Sequence, residues 1–164
     1  IPDLKQQILV VSDEGREEEV VTRLARVGYD HAIGYLKGGF DAWKKSGEEI
    51  DQITSISASE LAEIKKEDKN IHVLDVRKIS EFQSEHVLDA ENAPLDYINE
   101  SMLKIDKDKT YYVHCAGGYR SMVFNSILRA RGYDNLIDVK GGFKDLKESG
   151  EFEISEFVCP TTLL

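Results

Sequence analysis

The stretch that decides the fold is Tyr111-Tyr112-Val113-His114-Cys115-Ala116-Gly117-Gly118-Tyr119-Arg120-Ser121. It opens as a short apolar run of the kind that fills a buried strand. Directly after it, Met122 to Arg131 is amphipathic, with Met122, Phe124, Ile127 and Leu128 on one face and Gly132 placed to end a helix. A cysteine is thereby set at the carboxyl end of a strand, ahead of a tight loop and a helix N-terminus. Main-chain N–H groups in such a loop converge, and the helix dipole adds positive potential, so the thiol ionises more easily. Gly117 and Gly118 allow the backbone conformations and close approach that a ring of N–H donors needs. Arg120 adds a permanent charge. The pattern predicts an activated Cys115 thiolate, cradled by Ala116, Gly117, Gly118, Tyr119 and Arg120.

Working outward, a second stretch resembles this one. Ile8-Leu9-Val10-Val11-Ser12-Asp13-Glu14-Gly15-Arg16 is followed by a helical pattern, then Gly28-Tyr29-Asp30 and Lys37-Gly38-Gly39-Phe40. After Arg120 the same order returns as Gly132-Tyr133-Asp134 and Lys140-Gly141-Gly142-Phe143. Both copies read strand, loop, helix, strand, Gly-Gly turn, short helix. Val20, Val21, Leu24 and Val27 form the apolar face of the first helix. The first copy has no cysteine, and alignment on Arg16 places Val11 or Asp13 at the position of Cys115.

Only the second copy has an upstream half. Ser57 and Glu60 make a capping-box pattern before a helix around Leu61 and Ile64. Ile71 to Val76 reads as a buried strand. A short helix near Ser80 to Glu85, a brief strand near Ala90 and a helix from Leu95 to Leu103 follow. Alternating strands and helices predict an α/β domain with a parallel sheet between helices. Residues 55–155 are expected to form a complete domain. Residues 1–50 correspond to the C-terminal half of a degenerate one, and residues 156–164 to a tail.

Composition narrows the function. The 164 residues are 41% hydrophobic and 32% charged, which is ordinary for a globular chain. A net charge of -10 and a pI near 4.9 argue against nucleic acid or an anionic membrane as partner. No run approaches a membrane span and no signal peptide opens the chain. Two cysteines do not make a disulfide framework, so a reducing cytoplasm is expected. The first residue, Ile1, suggests a start inside a longer protein. His31, His72 and His86 are scattered without metal-ligand spacing, so neither a metal nor another cofactor is expected.

The whole constellation is similar to the rhodanese family. Leu74-Asp75-Val76-Arg77 looks like its first signature, and Glu81-Phe82 through His86-Val87, Ala90, Asn92 and Pro94 looks like the next. Cys115 to Arg120 matches its active-site loop and Lys140 to Phe143 its closing turn. Glu85 and Asp89 stand where the family usually has glycine. The resemblance implies a central five-stranded parallel sheet with helices on both faces, here preceded by a partial second copy. It also implies sulfur transfer, in which the cysteine takes a sulfane sulfur from a small anionic donor such as thiosulfate or a low-molecular-weight persulfide. A thiol, sulfite or cyanide would then accept it from the Cys115 persulfide. The order of a cysteine-lacking copy before an intact one resembles the C-terminal region of fusions with a metallo-β-lactamase-like persulfide dioxygenase.

Each remaining residue has a sharper and a plainer reading. His114-Cys115 resembles the pair in cysteine phosphatases of the same fold, but those enzymes place five residues between cysteine and arginine, and here there are four. The smaller cradle suits one sulfur atom better than a phosphate, which leaves His114 as a core residue. Asp75 and Arg77 are either catalytic acid and partner or, as favoured, an ion pair that supports the loop. Tyr119 lines the pocket mouth or merely packs. Cys159, in the tail, is a resolving thiol or a bystander. The open sheet of the half-domain is expected to be covered by the complete domain, by the tail from Phe152 or by a second chain as a homodimer.

Overall fold

A computed structural model describes residues 3–159, which divide into two compact units at Asp51 and Gln52. The first unit holds β1 (Ile8–Val10), α1 (Glu17–Ala25), β2 (Ala32–Tyr35) and α2 (Gly39–Ser46), with the two strands parallel. Helix α1 stops at Ala25 because the chain tightens there, with Gly28 donating its N–H to the Ala25 carbonyl and adopting φ +91°. Val27 therefore lies beyond the helix and is exposed, not on its apolar face as the periodicity suggested.

The second unit contains β3 (Ser55–Ile56), α3 (Ala58–Glu67), β4 (His72–Asp75), α4 (Ile79–Ser84) and β5 (Ala90–Asn92). A 3-10 turn at Leu95–Tyr97 leads into α5 (Ile98–Met102), then β6 (Tyr111–His114), α6 (Tyr119–Ala130), β7 (Leu136–Val139) and α7 (Gly142–Ser149). Its five strands run parallel in the order β3-β7-β6-β4-β5. The capping box forms, with the Ser57 hydroxyl accepting from the Glu60 N–H at 3.2 Å and Glu60 accepting from the Ser57 N–H at 2.7 Å.

Strand alternation splits the core in two. On one face Leu74, Val113 and Leu136 pack with Phe124 and Leu128 of α6 and with Ile98 of α5. On the other, Tyr112 and Val139 pack with Leu61 of α3 and Leu146 of α7. Cys115 belongs to the first cluster and His114 points the opposite way, which is the geometric reason the two do not act as a pair.

The tail is used within the second unit. Val158 donates its N–H to the Ser84 carbonyl at 2.8 Å and accepts from the Ser84 hydroxyl at 2.7 Å. Ile154 bridges Val87 in antiparallel fashion, and Leu88 donates to the Glu153 carbonyl. These bonds run along the end of α4 and the segment after it, whose main-chain groups are open to pairing. Residues beyond Cys159 lie outside those described.

Candidate active site

The site grows from the end of β6. Gly118 takes φ +101°, a turn that sends the chain straight into α6 at Tyr119, three residues earlier than the amphipathic pattern begins. Arg120 and Ser121 consequently fall in the helix's first turn. The loop is held from behind by α7, where Phe143 donates its N–H to the Cys115 carbonyl at 2.6 Å and Lys144 donates to Ala116 at 3.2 Å. Gly142 passes so close that a Cβ there would collide with the Cys115 carbonyl oxygen. The same collision links Gly39 to the Ser12 carbonyl in the first unit. The strand pairings agree, since Val113 faces Asp138 and Val10 faces Tyr35, two residues before Cys115 and Ser12 respectively. By this contact Ser12, rather than Val11 or Asp13, stands against its Gly-Gly turn as Cys115 stands against Gly141-Gly142.

Around the sulfur, Gly118 donates its N–H to Cys115 Sγ at 3.1 Å. Burial pushes the thiol up, but the N–H and hydroxyl of Ser121 and the N–H groups of Gly117 and Gly118 outweigh it and hold it below the ordinary cysteine range. The Gly118 carbonyl, 3.1 Å from the Ser121 hydroxyl, competes with sulfur for that hydroxyl's single proton. Ser121 is fully buried and was missed in the sequence reading, which ended the collar at Arg120. Its one signal was its place in the first turn of a helix that starts directly after Gly118. Ala116 instead spends its carbonyl on Lys144, and Tyr119 is 82% exposed, on the side of solvent and not of the core.

Arg120 is not a free cation. Its Nη1 and Nη2 donate to the two carboxylate oxygens of Glu81 at 2.5 and 2.9 Å. Each partner steadies the other's charge: the Arg120 guanidinium holds the Glu81 carboxyl below its usual range, and Glu81 raises Arg120. Glu81 sits in the first turn of α4 and also accepts from the Lys78 N–H.

Asp75 and Arg77 form a buried pair at 2.6 Å behind the loop, on the far face of the sheet. Arg77 also donates to the Glu85 carbonyl and lies 4.0 Å over the Phe143 ring. The pair meets the loop through Phe143, whose N–H holds the Cys115 carbonyl, and through His114, which Asp75 faces across the strands. His114 Nδ1 lies 3.2 Å from that same carbonyl, which assigns its proton to Nδ1, and burial pushes its pKa down. On the thiol's face Asp138 is 2% exposed, accepting from the Ser55 hydroxyl at 3.4 Å, and burial pushes its carboxyl up. Among the described residues no three His, Cys, Asp or Glu side chains group as metal ligands would.

A doubly covered parallel sheet carrying an amide-lined cysteine loop at a strand's carboxyl end defines an α/β thiol-chemistry domain. The rhodanese-like domain family matches residues 57–149, and the chain belongs to that family. Thiosulfate sulfurtransferase PspE of Escherichia coli is 36% identical over 77 residues, covering 46% of this chain and 73% of that protein. YqhL, an uncharacterized protein of Bacillus subtilis, is 34% identical over 76 residues, covering 46% of this chain and 60% of YqhL. Two further relatives are spanned over 53% and 57% of their length, so the chain corresponds to only part of several of its curated relatives. A rhodanese-like domain protein of Staphylococcus aureus superposes with a TM-score of 0.57 at 32% identity, covering 63% of this chain and all of that one. The relatives of this chain thus include sulfurtransferases, and membership of the family supports sulfur transfer in general. Among the described residues no helix is long and apolar enough to cross a membrane.

Proposed function

We propose that this chain is a sulfurtransferase in which Cys115 is both nucleophile and carrier. The observation that carries the reading is the Gly118 N–H aimed at Cys115 Sγ at 3.1 Å, in a turn whose Gly117 and Ser121 groups also lower the thiol's pKa. Such donors stabilise the thiolate before attack and the terminal sulfur anion after it. In the first step Cys115 S⁻ attacks the sulfane sulfur of a donor, the new S–S bond forms, and the donor's own S–S bond breaks with its electron pair on the leaving group. In the second, a thiol, sulfite or cyanide attacks the terminal sulfur and the pair returns to Cys115. The sequence similarity to PspE, named for thiosulfate, and to other sulfurtransferases supports this chemistry.

Incubation with thiosulfate or glutathione persulfide is expected to add one sulfur to Cys115, seen by mass spectrometry, and Cys115→Ser is expected to abolish transfer to cyanide. A folded chain that gains no sulfur from either donor would sink the reading.

The first unit is, in this proposal, the back half of a degenerate copy, with Ser12 where a nucleophile would stand. The shared contact between a loop carbonyl and the second glycine of each Gly-Gly turn supports it. A serine hydroxyl does not form a persulfide, so the reading assigns this unit no sulfur transfer. Its strands leave Leu9, Ile33 and Tyr35 exposed, and light scattering would test whether a second copy covers them.

A further inference from the structure

We infer that Glu81 is a specificity-determining residue that, by occupying Arg120, turns the site away from thiosulfate and toward a persulfide donor. This rests on the sulfur-transfer reading above and deepens it. The ion pair is bidentate and sits beside the thiolate, whose charge Arg120 feels. It is also partly sheltered, with side chains 29% and 34% exposed. The other guanidinium of the site, Arg77, is spent on Asp75 in the same way. Neither arginine therefore brings an uncompensated positive charge to the loop. Lys140 and Lys144 flank the closing turn but are exposed, where water and salt weaken their pull. A protein of net charge -10 does not make up the difference at long range.

The two donor classes differ in where their charge lies. In thiosulfate both negative charges sit on the transferring sulfur or on the atoms of the group bonded to it, so the whole dianion must enter a loop of four residues. The exchange is Cys115–S⁻ + S–SO₃²⁻ → Cys115–S–S⁻ + SO₃²⁻; the sulfur–sulfur bond breaks toward sulfite, which leaves as a dianion. With a persulfide the exchange is Cys115–S⁻ + R–S–S⁻ → Cys115–S–S⁻ + R–S⁻, and the leaving group carries one charge. Further charges on R can stay outside the loop. A cradle of N–H dipoles suffices for the second reaction, whereas the first calls for a free cation at the departing sulfite.

The test compares sulfur loading of Cys115 by thiosulfate and by glutathione persulfide, each below saturation, in the native chain and in Glu81→Gln. The expected result is a rise of about tenfold or more in the thiosulfate-to-persulfide rate ratio, the effect of freeing one partly buried charge beside a dianion. An unchanged or lower ratio, with both donors loading Cys115, would overturn the role of Glu81 while leaving sulfur transfer intact. Failure of both donors in both proteins would instead overturn the sulfur-transfer reading and this inference with it. A second measurement needs no variant to fold: sulfite, against sodium chloride at matched ionic strength, should give the native Cys115 no protection from iodoacetamide. Clear protection of the native thiol would reveal a free cationic site and overturn the inference.

Discussion

At the scale of single residues, the thiol's ionisation depends on groups that donate to sulfur without carrying charge. Ser121 gives two of them, its N–H and its hydroxyl, and only the hydroxyl can be deleted by mutation. Ser121→Ala should raise the thiol's titration midpoint and slow iodoacetamide alkylation at pH 7 by about fivefold, the equivalent of losing about 1 kcal/mol of hydrogen bonding to an anion. A pH–rate profile identical to that of the native chain would refute the role. Asp138, on the same sheet face, illustrates the opposite balance. Its folded pKa is raised by burial, so its contribution to stability is intact below the unfolded value and is lost as pH rises through the folded one. Asp138→Asn is therefore expected to stabilise the protein at pH 7 by about 1 kcal/mol, with the gain vanishing near pH 3. Urea titrations at the two pH values would check this, and a loss of stability at pH 7 would contradict it.

At the scale of elements, the sequence was legible where one rule acts alone. The apolar Tyr111–His114 run, the Ser57–Glu60 box and the glycine after α6 each specified an element that formed. Boundaries failed where tertiary geometry decided them: α6 begins at Tyr119, directly after Gly118, because the loop must turn its N–H groups toward sulfur, a demand invisible to periodicity. The Glu81–Arg120 pair, 39 positions apart, depends on β4 and β6 lying side by side, and no local pattern encodes that. The two departures from the usual glycines also separate by backbone. Glu85 is extended at φ -166°, where any residue fits. Asp89 has φ +69° and is alone among the described non-glycine residues in a left-handed conformation. Its 3.6 Å contact with Lys65 is mostly exposed and offsets little of that strain. Asp89→Gly should therefore raise stability by about 0.5 kcal/mol; a lower denaturation midpoint would show that the Lys65 contact or the chain entropy outweighs the strain.

At the scale of the whole molecule, the chemistry is confined to one of two compact units. Every partner named for the site lies between Ser55 and Val158: the collar on α6, Glu81 on α4, Asp75 at the end of β4 and Arg77 after it, Phe143 on α7, and the tail along Ser84 to Leu88. Both hydrophobic clusters, on the two faces of the five-stranded sheet, also draw only on residues of this unit. A segment with its own closed core and its own satisfied site has the physical requirements for folding alone. The fragment 52–164 should thus unfold cooperatively and alkylate at Cys115 within about twofold of the full chain's rate, since it keeps every donor named for the thiol. Circular dichroism and timed iodoacetamide labelling would measure both. A folded fragment whose thiol reacts tenfold more slowly would mean that residues 1–51 help to set the Cys115 loop, and would change the role assigned to the first unit from a degenerate copy to a working part of the site.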